Sequence, residues 1–142
     1  MKSKSLITVL MLTLPLTGLT QSPGTKLWEF TAGGGIGSSP AIAVDGSIYF
    51  GSDAKKLYAL TPDGAKKWEF TVGAEIRSAP AIAPDGTLYF GADDNKLYAV
   101  NADGTARWSF PAGGTVDTSP ALGTNGTIYF SSGGGNLSLE PA

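Results

Sequence analysis

Five stretches of this chain carry side chains that chemistry could use. The most acidic is Asp93-Asp94-Asn95, with Asp53 in the matching position forty residues earlier. Three oxygen-bearing side chains together can hold Ca²⁺, but neither the twelve-residue loop nor the bidentate Glu of an EF-hand is present, so a solvated turn is the better reading. Gly33-Gly34-Gly35 and Gly133-Gly134-Gly135 have the composition of a phosphate cradle. Neither opens a helix or precedes a Lys-Ser/Thr pair, so they read as turns. The Trp, Tyr and Phe residues could stack on sugars, yet their strand spacing fits core packing. Thr61-Pro62-Asp63-Gly64 resembles an Asp-box turn only faintly, because its Asp and Gly are adjacent, and it reads as a hairpin. The fifth stretch changes charge from copy to copy of a repeated frame: Gly35, Glu75 and Thr115 match one another, as do Gly37, Arg77 and Asp117. Variable loops on a constant scaffold are where a binding surface is presented, with ordinary loop drift as the plain alternative. Glu75, Arg77 and Asp117 are therefore the candidate binding surface.

None of this amounts to a catalytic set. The 142 residues contain no histidine and no cysteine. That excludes Cys/His zinc sites, Ser-His and Cys-His nucleophile pairs, haem ligation by His or Cys, and disulfides. No catalytic residue, no cofactor and no metal is expected. The net charge of −2 comes without a basic stripe, so nucleic acid is not an expected partner.

The elements that position these residues repeat every forty positions. Trp28, Trp68 and Trp108 stay in register, as do Pro40, Pro80 and Pro120, the Tyr-Phe pairs at 49–50, 89–90 and 129–130, and Leu57, Leu97 and Leu137. Each copy holds four short apolar runs. In the first copy they are Lys26 to Thr31, Ser38 to Ala43, Ser47 to Gly51 and Leu57 to Leu60. Asp45-Gly46 and Asp63-Gly64 supply the positive φ angles of tight hairpins. In the last two runs both faces are apolar: Ile48 and Phe50 oppose Tyr49, and Leu57 and Ala59 oppose Tyr58 and Leu60. A sheet with one wet face would alternate apolar with polar, so each sheet must be covered on both sides. Four antiparallel strands per forty residues is the spacing of a β-propeller blade. The small-residue Ser-x-Pro-Ala runs fit the hub, where the donorless prolines suit an edge strand. The Trp/Phe runs fit the rim.

Before the first copy, Lys2 and Lys4 precede an apolar run from Leu6 to Leu16 and then small or polar residues. This is the order of a secretory signal peptide, expected at 1–21. The run is too short for a stable membrane span. Export to the periplasm, the cell surface or the medium follows. The mature part, 22–142, then divides into copies at 24–63, 64–103 and 104–142.

The pattern Ser-x-Pro-Ala-Ile, Asp-Gly-Thr-x-Tyr-Phe-Gly, Leu-Tyr-Ala-Leu, Asp-Gly, Trp-x-Phe resembles the PQQ-like (quinoprotein-type) β-propeller repeat over residues 24 to 140. The resemblance implies that Trp28, Trp68 and Trp108 dock between neighbouring blades. The family includes PQQ-dependent alcohol and sugar dehydrogenases, with about eight blades, a calcium site, a catalytic Asp and often a vicinal disulfide. It also includes non-enzymatic members such as the outer-membrane assembly lipoprotein. This chain has three copies, no cysteine and no Asp in a recognisable catalytic context.

The resulting expectation is an all-β chain: a partial β-propeller of three four-stranded antiparallel blades, as an open arc or as part of an oligomeric ring. Propellers close with about four to eight blades, so the end blades would expose apolar faces. A protein partner, or head-to-tail self-association with two chains forming six blades, would cover them. The expected function is that of an exported, non-catalytic binding or assembly scaffold at the cell envelope. A fragment or subunit of a PQQ-dependent alcohol or sugar dehydrogenase is the alternative, and glycan binding is a third reading.

Overall fold

The computed structural model describes residues 22–133 and 136–141, the last six as backbone only. The signal peptide expected at 1–21, and Gly134 and Gly135 of the second glycine run, lie outside the described residues. The described residues contain strands and no helix. The first sheet runs β1 (Ala41–Ile42), β2 (Ile48–Ser52), β3 (Lys56–Leu60), β4 (Lys66–Thr71). The second repeats it as β5 (Ala81–Ile82), β6 (Leu88–Ala92), β7 (Lys96–Val100), β8 (Ala106–Pro111). The third has β9 (Ala121–Leu122), β10 (Thr127–Ser132) and β11 (Asn136–Pro141). All neighbouring strands are antiparallel, and each of the first two blades takes its fourth strand from the following copy of the repeat, whereas the third, expected to have four strands, has three among the described residues. The result is an unclosed, partial β-propeller.

Alternation along the strands decides which side chain meets which sheet. Tyr49, Leu57 and Ala59 leave one face of the first sheet to pack on Leu88, Phe90 and Val100 of the second. Tyr89, Leu97 and Ala99 leave the other face of the second sheet to meet Ile128 and Phe130 of the third. Phe50, Tyr58 and Leu60 point the opposite way from the first sheet and pack on Phe30 and Ala32. Burying a side chain as large as Phe90, which is 0% exposed, contributes about 1.5–3 kcal/mol. The wedge shape follows from residue size. At the small-residue edge, the Ala79 amide reaches Ser119 Oγ of the next sheet at 2.9 Å. At the other edge the gap between sheets is filled by tryptophan.

The structure corrects three local expectations. Lys26 to Thr31 forms no strand, although its equivalents β4 and β8 do. A strand exists by pairing, and β4 and β8 pair with β3 and β7, whereas the first run has no such neighbour among the described residues. The second runs pair over only two residues each, because proline lacks the donor a ladder needs. Ser38 and Ser78 extend the edge instead: Ser78 Oγ accepts from the Gly91 amide and donates to the Gly91 carbonyl, both at 2.8 Å. The Asp-Gly hairpins are three-residue loops rather than two-residue ones. Only the glycine has positive φ, 81° at Gly46. The Gly46 amide donates to the Ala43 carbonyl and the Ala43 amide to the Ser47 carbonyl, both at 2.9 Å. This is a type I turn closed by a glycine in the left-handed region.

Candidate functional site

The charged loops fall together at one end of the sheets. The connector that leads into each inner strand lies beside the β2–β3 or β6–β7 turn of the same sheet. The Asp53 amide donates to the Gly35 carbonyl at 2.8 Å, and the Asp93 amide to the Glu75 carbonyl at 2.9 Å. In the third sheet the Gly133 amide donates to Thr115 at 2.7 Å. Because the backbone bonds repeat, the side chains at these positions can vary without moving the loops.

Arg77 is the centre of the group. Its guanidinium ion-pairs with Asp93 of its own sheet and lies 3.7 Å from Asp53 of the preceding one. One cation thus links the turns of two sheets. Asp94 has other partners: its Oδ2 accepts from the Gly73 amide at 2.9 Å and from the Tyr98 hydroxyl at 2.5 Å. Burial first, and that bond second, push the Tyr98 hydroxyl well above the usual phenol range. Glu75 is half-buried, Asp117 is exposed, and the side chains of both make no hydrogen bond or ion pair among the described residues. Protein donors thus engage Oδ2 of both Asp93 and Asp94, while Oδ1 of each is buried without a hydrogen-bond partner among the described residues, and no cluster of three metal-ligating side chains occurs among those residues. Chemically, the end presents a bridged cation flanked by two carboxylates free to meet a partner's donors.

The tryptophans span the gaps between sheets. Trp68 leaves β4 and donates from Nε1 to the Ala102 carbonyl in the β7–β8 turn at 3.0 Å. Its ring lies on Gly104, where an added Cβ would come within 2.8 Å of it. Trp28 does the same to the β3–β4 turn, donating to the Pro62 carbonyl at 3.0 Å and lying on Gly64. Trp108 packs on Tyr89, their ring centroids 5.7 Å apart. The remaining aromatics, Tyr129 apart, pack in or against the core clusters.

Sequence reasoning missed a second polar arrangement, at the opposite end. A register shift between Ala59 and Leu60 bulges Lys67 out of the ladder, and a bulge re-aims its side chain. Lys67 Nζ reaches Ser47 Oγ at 2.7 Å and Asp45 at 3.5 Å. Arg107 repeats this with Thr87 at 2.7 Å and Asp85 at 3.0 Å. The paired changes across the copies, Asn125 where the others have Asp45 and Asp85 and Leu27 where the others have Lys67 and Arg107, were the signal available in the sequence. Beside these turns lies an open groove of about 530 Å³ between the first two sheets, lined by Ile42, Val44, Tyr49, Ile82 and Pro84.

A family model described as outer membrane protein assembly factor BamB, built of PQQ-like repeats, matches residues 16–140. No curated protein matches the chain. Among the described residues no helix is long and apolar enough to cross a membrane.

Proposed function

The chain belongs to the PQQ-like repeat family of the outer membrane assembly factor BamB, and on that premise we propose that it is an exported, non-catalytic scaffold that binds protein at the cell envelope. One observation supports this most. The loop backbones at the Arg77 end are fixed by repeated bonds, while Glu75 and Asp117 carry charge that no described neighbour uses. A fixed frame with unengaged charge suits recognition. Of the acidic residues nearby, Asp93 pairs with Arg77, and Asp94 accepts from Tyr98 and the Gly73 amide. The outward face of the first sheet is covered by Phe30 and Ala32, and what supports self-association as a second use of the same scaffold is the exposure of Leu27 and Trp28 in the unpaired first run.

Site-specific photo-crosslinking from Glu75 and Asp117 in living cells tests the reading. The expected result is one discrete adduct from both positions, in the envelope fraction, lost on Arg77→Ala. N-terminal sequencing of that fraction should begin near Ser22. Reproducible dye-linked oxidation of alcohols or sugars after addition of PQQ and Ca²⁺ would overturn the reading in favour of a dehydrogenase subunit. Specific signals on a glycan array would favour the sugar-binding reading.

A further inference from the structure

We propose that Lys26 to Thr31 of one copy is the fourth strand of another copy's third sheet, laid along the free edge of β11, so that two chains close a ring of six blades. This rests on the reading of the chain as a self-associating scaffold and assigns that association to one pair of edges.

The donor segment already sits where a fourth strand belongs. Trp28 makes the hydrogen bond to the turn of the following sheet that Trp68 makes, at the same 3.0 Å. Phe30 packs edge-on against Tyr58, with centroids 5.3 Å apart, as Phe70 packs against Tyr98 at 6.1 Å. The segment therefore has the pose of β4 relative to the next sheet but lacks the ladder that β4 has with β3. No backbone hydrogen bond of residues 26–31 occurs among the described residues. Leu27 and Trp28 are 61% and 37% exposed. The acceptor is complementary. β11 pairs with β10 on one side, and on its other side it has no neighbour among the described residues.

Charge marks the same match. In the first two sheets the bulged residue of the fourth strand is a cation, Lys67 or Arg107, facing Asp45 or Asp85 in the same sheet. In the third sheet the turn position is Asn125, and the donor segment's bulge position is Leu27. Both members of the ion pair become neutral together, as they would if Leu27 of one copy faced Asn125 of another. Register follows from the repeat: Tyr58 opposes Glu69 and Tyr98 opposes Ser109, so Ser138 should oppose Glu29 of the second copy. Six blades fall within the range that closes.

The chain has no cysteine, so introduced pairs report cleanly. Light scattering of the purified chain should give twice the protomer mass. Glu29→Cys mixed with Ser138→Cys should oxidise to a covalent dimer, whereas Lys26→Cys mixed with Ser138→Cys should not. A dimer without the first crosslink overturns strand exchange and leaves self-association standing. A monomer at every concentration overturns both, and a disulfide within one chain of the Glu29→Cys/Ser138→Cys double variant overturns the exchange. Should the variants fail to fold, hydrogen exchange on the unaltered chain decides. The amides of 27–31 should be protected when concentrated and exposed on dilution, and exposure at all concentrations overturns the proposal.

Discussion

At the scale of single residues, the inner edge of each blade depends on one hydroxyl. Ser78 is 0% exposed and satisfies both backbone groups of Gly91. Ser78→Ala leaves a buried donor and acceptor without partners, which should cost about 1–3 kcal/mol. Urea unfolding should show this as a lower midpoint at unchanged slope. Ser39→Ala, at the exposed position after Ser38, the counterpart of Ser78 in the first copy, should be near neutral. Gly91 is constrained from its other side as well: a Cβ there would come within 2.2 Å of Val116 Cγ1. Gly91→Ala should therefore destabilise by about 1–3 kcal/mol through overpacking, and Val116→Ala in the same chain should relieve part of that strain. The Ser-x-Pro-Ala motif was visible in the sequence. The use of its serine was not, because the bond joins positions thirteen apart that meet only once the strands pair.

At the scale of elements, the hairpins couple stability to pH. The Asp85 carboxyl is held below its ordinary value first by the Thr87 amide and hydroxyl and then by Arg107. Asp45 is held down chiefly by Ser47, and Asp103 by Thr105. A carboxyl whose folded pKa is depressed contributes stability that is complete above its unfolded value, near 3.9, and is lost as pH falls through the folded value. The urea midpoint should therefore be flat from about pH 7 to pH 5 and decline below about pH 4. Asn at positions 45, 85 and 103 should flatten that decline, since an amide accepts the same hydrogen bond without titrating. The tryptophan struts make a separate contribution. Trp68→Phe loses both the bond to Ala102 and part of the indole that fills the gap between sheets, and calorimetry should register about 1–3 kcal/mol.

At the scale of the whole molecule, periodicity made the blades legible, and the two apolar faces of each run gave their packing order. What stayed hidden depends on neighbours. Lys26 to Thr31 has the composition of β4 and is not a strand, since pairing rather than propensity makes one. The link from Arg77 to Asp53 joins two copies of the repeat and has no local signature. The neutral pair Leu27 and Asn125 is meaningful only once Lys67 is seen facing Asp45, and it gives the most discriminating test of how chains meet. If these two residues face each other between copies, charges placed on them must interact only in the assembled ring. Leu27→Lys with Asn125→Lys should weaken association, and Leu27→Lys with Asn125→Asp should restore it. The coupling should be about 0.2–1 kcal/mol, the range of exposed ion pairs, and should shrink with added salt. Dissociation constants from sedimentation of the singles and doubles give that coupling directly. Strictly additive effects would mean that the two positions do not meet.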